Sequence, residues 1–478
     1  MFFRKRQSDI FHDLDLGTKS LCDHTLAVGG SGSGKSSLLK VLLTDALRRT
    51  CQGRPIGCVW SCVKNDEADA AIRIISAASA EGRLLHLVPG QFTCNVLSYE
   101  LNDRPGGSPI TATILLERLN KLMTRSNGER GEAYWQNLFS RLLEYSITIC
   151  WLAKRREVCL ADVFCFCAST PSSFEQLSSE AFRNKSVCLK MLRQAEMNLV
   201  SDAERRQYEL AATFICNELI LIGSKGRGSA LTQVMAILSP FMRSPLYETV
   251  NTPGPSSFTP GMALKGSCVV LDFPLLTHQT GGLLFTSLMN ILVCEAALRQ
   301  TDPSNLTLLV RDELPAILAD PDFEVFVQSL ARSHLLGFVS SGQSLAQFRA
   351  AMGGGADAAE RLHAILANYS QKFLMATPCK DTAAYFSEAW GEHIEETVTV
   401  SERTEEIEKL NLMDIIFGSH FTYSVGESRV RRCPVEAFLS LRRGGGANRR
   451  LVDCFYTQAG RTFGRNGSPF RVYTFEQR

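Results

Sequence analysis

The 478-residue sequence has almost no net charge, since 51 Lys and Arg stand against 49 Asp and Glu, which gives +2. A protein that coats nucleic acid with its whole surface needs a strongly basic composition, so that class is excluded. A local basic channel remains compatible, because net charge does not describe how charges are distributed. The length suits about two to four domain-sized units, or one core domain with a large insertion.

The sequence also lacks a long apolar run. No stretch reaches the ~18 apolar residues that a membrane-spanning helix needs. The best candidate, Gly281–Leu298, is interrupted by Asn290 and Glu295. The first residues, MFFRKRQSDIFHDLDLG, carry charges where a signal peptide has its apolar centre. We therefore expect no membrane span in this chain and a cytoplasmic location.

The sixteen cysteines lack the paired spacing of a zinc site. Many lie within apolar runs, for example Cys150, Cys216 and Cys294. Scattered cysteines in a long chain differ from the dense pattern of a small secreted scaffold. They indicate core packing in a reducing compartment.

The stretch TLAVGGSGSGKSSLL, residues 25–39, contains the full G-x-x-x-x-G-K-S motif of a phosphate-binding P-loop. A short apolar run precedes the motif and an apolar-periodic segment follows it, which is the strand–loop–helix context that the motif requires. The backbone N–H groups of such a loop surround phosphates, its lysine reaches the β/γ-phosphates and its serine hydroxyl helps to hold Mg²⁺. The predicted nucleotide-binding residues are Gly29, Gly30, Ser31, Gly32, Ser33, Gly34, Lys35, Ser36 and Ser37.

Strand and helix patterns alternate on both sides of a long helical block, which predicts an α/β protein with a parallel sheet. We expect residues 1–109 to form the first part of the nucleotide-binding domain, residues 110–250 an inserted all-α domain, and residues 251–478 the second part. Beyond Glu392 the pattern is polar and irregular until strand-like pieces around Leu451–Tyr456 and Phe470–Phe475.

A carboxylate on a neighbouring strand is needed to orient the magnesium ion, and an apolar run that ends in Asp312-Glu313 supplies it. Asp312 is predicted to face Mg²⁺ together with Ser36, and Glu313 to polarise the attacking water. Asp272, which ends another apolar run, is the alternative carboxylate. No second acid follows it, which favours a structural strand end.

Two further side chains near the next strand have open roles. Gln343 follows the strand and suits a γ-phosphate sensor, but Gln343 and Gln347 equally suit the capping of a helix start. Arg332 precedes the strand and is a candidate to reach the nucleotide of a neighbouring subunit, although a surface arginine is the alternative. Basic residues around Lys225–Arg227, expected in a turn between helices, and around Arg442–Arg450 suit either a DNA-lining surface or solvated loops.

These pieces, in their order and spacing, resemble the TraG/TraD-type coupling ATPases of conjugative and type IV secretion systems, within the FtsK/HerA clan. The resemblance covers nearly the whole chain. The segments that carry it are Gly29–Ser37, Cys62–Asn65, Pro89–Asn95, Tyr134-Trp135, Val310–Pro315, Ala331–Gln347, Asn368 and Asp381–Ser387.

The resemblance implies a RecA-like P-loop domain with an inserted all-α domain, acting as an ATP- and Mg²⁺-dependent hexameric motor that moves single- or double-stranded DNA, or DNA–protein substrates. Carried over by position, Lys35 and Ser36 bind phosphate and Mg²⁺, Asp312 and Glu313 form Walker B, Gln343 senses the γ-phosphate, and Arg332 acts from the neighbouring subunit. The implied partners are a second copy of the chain, a relaxase and secretion-channel proteins, which would bring the protein to the inner membrane.

Coupling proteins of this type usually begin with membrane-spanning helices, and no such segment is predicted here. Two other interpretations therefore stay open. One is a soluble HerA-like or viral DNA-packaging pump. The other is an adaptor protein that uses nucleotide as a switch and recruits partners through its helical block.

Overall fold

The computed structural model describes residues 9–124, 133–402 and 421–477. Within these ranges the chain forms thirteen β-strands: β1 (Thr25–Val28), β2 (Thr50–Cys51), β3 (Arg54–Pro55), β4 (Gly57–Cys62), β5 (Leu84–Leu87), β6 (Cys268–Asp272), β7 (Thr307–Arg311), β8 (Leu336–Gly342), β9 (Gln371–Met375), β10 (Glu392–Glu402), β11 (Phe421–Arg431), β12 (Leu451–Gln458) and β13 (Arg471–Glu476).

The described α-helices are Ile10–Asp13, Lys35–Leu47, Glu67–Ala77, Val96–Ser98, Pro109–Thr124, Ala133–Lys154, Leu160–Ala168, Phe174–Ser178, Glu180–Lys185, Val187–Met197, Asp202–Thr213, Leu219–Leu221, Ser224–Leu238, Leu246–Val250, Leu275–Leu298, Leu314–Ile317, Pro321–Ala331, Leu345–Ala351, Gly355–Asn368, Lys380–Ala389 and Ala437–Ser440. Short 3₁₀ turns are Thr18–Asp23, Glu81–Arg83, Arg155–Glu157, Ser239–Met242, Pro260–Leu264, Arg332–His334 and Gly446–Asn448, and π-helical turns are Tyr99–Asp103 and Phe214–Glu218.

Nine strands form one sheet in the order β13-β12-β9-β1-β8-β7-β4-β6-β5. The seven strands from β9 to β5 are parallel, and β12 and β13 extend the sheet in antiparallel orientation beyond β9. Parallel strands carry their ligands at their carboxyl ends. We call the end of the sheet formed by the last residues of the parallel strands the carboxyl edge, and the opposite end the amino edge.

Both faces of the sheet are covered, as expected for parallel strands. Successive residues of β1 belong to different cores, because side chains alternate between the two faces of a strand. Leu26 and Val28 pack into a core that continues into the helical block. Ala27 packs into a second core with the helices Lys35–Leu47 and Glu67–Ala77. The helical block therefore shares its apolar interior with one face of the sheet.

The helical block lies between β5 and β6. Within the block, residues 174–197 form three short helices in succession and not one long helix. Each begins at a serine, Ser173, Ser179 or Ser186, whose hydroxyl accepts a hydrogen bond from the N–H three residues later. Serine favours this capping position over a helix interior, which explains the breaks. The expected boundaries of the inserted domain at residues 110 and 250 stay predictions.

One described helix, Leu275–Leu298, which contains the interrupted apolar run Gly281–Leu298, is long and apolar enough to cross a membrane by length and composition alone. However, 83% of its most apolar window is buried inside the protein. Two of its polar residues have internal partners: Asn290 donates a hydrogen bond to Ser61 (2.8 Å), and Glu295 pairs with Arg104 (3.0 Å). This helix packs as a core helix of the fold.

Two sequence-based expectations are wrong. The region after Glu392 contains a regular antiparallel ribbon of β10 and β11, not an irregular segment. The ribbon exposes apolar side chains such as Ile394 and Val425, and the alternation that predicts its strands is confined to two short stretches, residues 397–401 and 421–425, among charged residues. Lys225 and Arg227 lie in the first turn of the helix Ser224–Leu238, not between helices, because the turn ends at Gly223, directly before the helix begins.

Candidate nucleotide-binding site

The P-loop connects β1 to the helix Lys35–Leu47 at the carboxyl edge. Gly34 ends the loop with φ +99°, a left-handed conformation that favours glycine. A Cβ at Gly34 would lie 2.8 Å from Val452 of β12, so glycine is also required for space. This close packing against β12 gives the loop a fixed shape. The nine predicted nucleotide-binding residues all lie in this loop and in the first turn of the helix.

Lys35 points its ammonium group at the loop itself. The Nζ atom donates hydrogen bonds to the carbonyl oxygens of Gly29 (2.8 Å) and Gly30 (3.0 Å). Burial lowers the pKa of Lys35, while the negative charges of Glu313 and Asp312 oppose this change. The lysine is thus enclosed near two carboxylates, at the position from which a P-loop lysine reaches phosphate oxygens.

Ser36 and Asp312 meet as predicted. The Ser36 hydroxyl donates a hydrogen bond of 2.6 Å to Oδ2 of Asp312, although the two residues are far apart in sequence. Asp312 does not lie on the strand next to β1, however: β8 pairs with both β1 and β7 and separates them. The carboxylate reaches the P-loop across one intervening strand.

That intervening strand contributes a residue that the sequence reasoning did not single out. The Ser341 hydroxyl donates a short hydrogen bond to Oδ1 of Asp312 and accepts one from the backbone N–H of Glu313 (3.2 Å). Burial alone would raise the pKa of Asp312, but the charge of Lys64 and the hydrogen bonds from Lys64, Ser341 and Ser36 hold it below its ordinary value. Asp312 is therefore ionised, as a magnesium-binding carboxylate must be.

Glu313 and Gln343 form a second pair. Gln343 Nε2 lies 3.2 Å from Glu313 Oε1. The other carboxylate oxygen of Glu313, Oε2, is buried and has no hydrogen-bond partner among the described residues. Glu313 has φ +71°, a strained conformation that is common at functional sites. The helix Leu345–Ala351 is capped by Ser344, whose hydroxyl accepts the backbone N–H of Gln347 (3.2 Å), and the side chain of Gln347 accepts the backbone N–H of Gln343 (3.0 Å).

Lys64 and Glu67 also lie at this site, immediately after β4. Lys64 Nζ lies 2.8 Å from Asp312 Oδ2 and 4.0 Å from Glu313 Oε1. Glu67 accepts hydrogen bonds from the backbone N–H groups of Val63 (2.7 Å) and Lys64 (3.0 Å). Burial, together with the charge of Asp312, raises the pKa of Glu67 to about 8. The position of Lys64 at the carboxyl end of a predicted strand was the available signal for it.

The two remaining candidates lie away from this cluster. Asp272 ends β6 and lies 3.0 Å from His86, which agrees with a structural strand end. Arg332 lies just before β8, at the amino edge, where its Nε is 3.2 Å from Asp23 and its side chain is 69% exposed. Within one subunit the structure does not bring Arg332 to the P-loop.

The arginines of the predicted basic loop differ in their contacts. Arg442 donates two hydrogen bonds to the carboxylate of Asp453 (2.6 and 2.7 Å). Arg443, Arg449 and Arg450 are exposed. Because β12 runs antiparallel to β9 with Cys454 opposite Met375, the loop before β12 lies at the carboxyl edge.

Comparisons with known proteins agree with this architecture. Residues 307–432 match a family model described as the TraM recognition site of TraD and TraG. The fold is similar to that of the bacterial conjugative coupling protein TrwBdeltaN70, with a TM-score of 0.57 and 15% identity over 96% of this chain and 86% of that chain. The resemblance to the TraG/TraD-type coupling proteins is confirmed.

Plasmid coupling protein TrwB is also similar in its complex with ADP and Mg²⁺ (TM-score 0.58, 16% identity, covering 96% of this chain and 86% of that chain). Its complex with the GTP analogue GDPNP gives a TM-score of 0.59 at 15% identity, covering 96% of this chain and 87% of that chain. A sequence search of curated proteins returned no match. The likeness to TrwB confirms the predicted fold class, a RecA-like P-loop domain with an all-α domain.

Proposed function

We propose that the protein is an ATP-driven, coupling-type motor of a conjugation system, which hydrolyses ATP to move DNA or a DNA–protein substrate. One observation carries this proposal: the P-loop hydroxyl of Ser36, the carboxylate of Asp312 and the Glu313–Gln343 pair converge at one edge of the sheet. The fold shared with a coupling protein supports the choice of motor class.

The residues present fit Mg²⁺ and a nucleoside triphosphate. Asp312 and Ser36 offer two oxygens side by side, which is the oxygen donor set that Mg²⁺ prefers. Gly34, which packs against Val452 without a Cβ, keeps the phosphate-binding loop in a fixed shape. When bound, the magnesium–nucleotide complex supplies the phosphoanhydride bond and neutralises part of its charge.

Each side chain has a distinct role in this proposal. Lys35 binds the β/γ-phosphates, and Ser36 and Asp312 hold the metal. Glu313 accepts a proton from the attacking water through its unpartnered Oε2, and Gln343 fixes the opposite oxygen of that carboxylate and responds to the γ-phosphate. Arg332 completes the site of a neighbouring subunit in a ring, since within its own subunit it lies at the amino edge.

The proposed partners follow from the same argument. A ring of second copies supplies Arg332, DNA passes along basic loops, and the segment 307–432 contacts a relaxosome component, since its family model is described as a TraM recognition site. The motor is proposed to work in the cytoplasm, at the inner membrane through these partners. The Glu313–Gln343 pair, which suits hydrolysis, favours a motor over a nucleotide-switched adaptor.

The test is steady-state ATP hydrolysis by the purified chain with and without DNA. Lys35→Ala should abolish hydrolysis and leave the circular dichroism spectrum unchanged, because the charge of Lys35 is needed at the phosphates. Lys40→Ala, a change of another lysine on the same helix, is the matched control and should hydrolyse ATP normally. Hydrolysis by Lys35→Ala at the wild-type rate contradicts the proposal, and hydrolysis that DNA does not stimulate favours the adaptor.

A further inference from the structure

Lys64 places a cation at the position proposed for magnesium. Its ammonium lies 2.8 Å from Oδ2 of Asp312, the same oxygen atom that accepts the Ser36 hydroxyl at 2.6 Å. Glu313 Oε1 is 4.0 Å from the same ammonium. Lys35 does not take this place, since its Nζ bonds to the carbonyl oxygens of Gly29 and Gly30.

An ammonium and a hydrated Mg²⁺ ion cannot both use Oδ2 of Asp312 at close range. Mg²⁺ requires near-octahedral geometry and keeps several of its waters, so it needs space around the carboxylate. Two cations in contact with one carboxylate also repel each other. Binding of the metal therefore requires the ammonium of Lys64 to leave Asp312.

The structure fixes the backbone of Lys64 while its side chain remains able to move. The buried carboxyl of Glu67 accepts the backbone N–H of Lys64 at 3.0 Å, which anchors the chain at the end of β4. The Lys64 side chain is 42% exposed, whereas that of Asp312 is 2% exposed. A long, flexible ammonium on a fixed stem can leave and return without a change in the sheet.

We propose that Lys64 is a tethered counter-cation of the magnesium site, which occupies Asp312 until Mg²⁺ displaces it and so sets the Mg²⁺ concentration at which nucleotide binds. This inference rests on the proposed nucleotide site and adds a means of regulating it. Lys64 acts through Asp312 and is a positioning residue.

The experiment is a calorimetric titration of the full chain with a non-hydrolysable ATP analogue at a series of Mg²⁺ concentrations. Lys64→Met removes the charge and keeps most of the stem, so half-maximal nucleotide binding should need at least about fivefold less Mg²⁺ than in the wild type, the lower end of typical coupling between two sites. Lys64→Arg keeps a cation and should stay close to the wild type. Lys40→Met, in the same cleft, is the matched control and should not change the Mg²⁺ requirement.

A second measurement tests the inference even if Lys64→Met is less stable than the wild type. Mg²⁺ alone should raise the melting temperature of Lys64→Met and Lys64→Gln more than that of the wild type, because the unneutralised carboxylates bind it more tightly. An unchanged or higher Mg²⁺ requirement in the Lys64→Met titration, or equal Mg²⁺ stabilisation of all three proteins, overturns the inference while the nucleotide site stands. If the wild type binds no nucleotide at any Mg²⁺ concentration, the proposed function fails first and this inference with it.

Discussion

The carboxyl and amino edges of the same sheet present different chemistry. At the carboxyl edge, Asp312 is almost completely buried and receives hydrogen bonds from Ser36, Ser341 and Lys64. At the amino edge, the exposed Arg332 pairs only with Asp23 among its described contacts. The first arrangement fixes groups within one subunit before substrate binds. The second leaves a long cationic side chain at the surface, which supports the proposal that the carboxyl edge binds nucleotide and the amino edge completes the site of another subunit.

The largest effect is expected at the amino edge, from the loss of Arg332. Arg332→Ala should lower ATP hydrolysis by about 10³–10⁵-fold, because an arginine finger neutralises charge in the transition state. Mixing this variant with Lys35→Ala, itself inactive, should restore part of the activity in steady-state assays, since some interfaces then combine an intact Lys35 with an intact Arg332. Arg361→Ala removes another partly exposed arginine, paired with Asp322 at the opposite end of the helix that leads into Arg332, and serves as a control that should hydrolyse ATP normally. If mixed assemblies form without recovery, Arg332 does not act across a subunit interface.

Glu313 tests the chemistry of the carboxyl edge directly. Glu313→Gln should slow hydrolysis by about 10²–10⁴-fold and retain ATP binding, because only the proton-accepting oxygen is lost. Single-turnover hydrolysis and equilibrium binding separate the two effects. Asp272→Asn, the alternative carboxylate, is the matched control and should hydrolyse ATP normally. A slow Asp272→Asn together with a normal Glu313→Gln would exchange their roles.

The two edges are connected by the helix Pro321–Ala331. Glu324 on this helix binds the buried Arg311 with two hydrogen bonds (2.7 and 2.8 Å), one residue before Asp312, and the helix leads directly into Arg332. Burial alone would lower the pKa of Arg311, but the carboxylate of Glu324 raises it above its ordinary value. The ion pair therefore holds the helix to the Walker B strand.

Breaking the ion pair between Arg311 and Glu324 should lower the stability of the folded protein. Glu324→Gln leaves a buried arginine without its counter-charge and should lower the free energy of unfolding by about 3–5 kcal/mol. Asp322→Asn on the same helix removes an exposed pair with Arg361 (3.0 Å) and should cost less than about 1 kcal/mol. Urea unfolding measures both, and equal costs would show that the buried pair has no special role.

The smallest effect is expected from the basic loop at the carboxyl edge. Changing Arg443, Arg449 and Arg450 together to Ala should weaken DNA binding equally for all sequences and lower the slope of log affinity against log salt by about 0.9 per lost phosphate contact with duplex DNA. Arg442→Ala should leave the slope unchanged, because Arg442 is already bound to Asp453. Fluorescence anisotropy at several salt concentrations tests this. A triple variant with the wild-type slope places the loop outside any DNA path.

The sequence predicted the alternation of strands and helices because buried parallel strands leave continuous apolar runs, and it predicted strand-like pieces where β12 and β13 lie. It did not predict that β8 lies between β1 and β7, since strand order arises from tertiary packing and has no local pattern. The ribbon of β10 and β11 was missed for a different reason. Apolar and polar residues alternate over residues 397–401 and 421–425, but the surrounding charged residues and the exposure of its apolar side chains gave it the overall composition of a loop.

The residues of the site likewise fall into those with a local sequence pattern and those whose contacts depend on tertiary packing. Lys35, Ser36, Asp312 and Glu313 could be predicted because a motif fixes their spacing from a strand end. Lys64 and Ser341 could not be assigned a role, because their contacts with Asp312 depend on which strands become neighbours. Sequence therefore identified the residues that the nucleotide would contact and missed those that hold the carboxylate in place.

The contact between Gly34 and Val452 has a consequence for protein synthesis. The P-loop leaves the ribosome early, but β12, which packs against it, is made only after nearly all of the described chain. A nascent chain thus carries its phosphate-binding loop for most of translation without the strand that supports it, and non-local contacts of this kind form late. Nucleotide can stabilise the folded chain only by binding to the finished site. The proposed nucleotide site is therefore complete only after β12 has been translated.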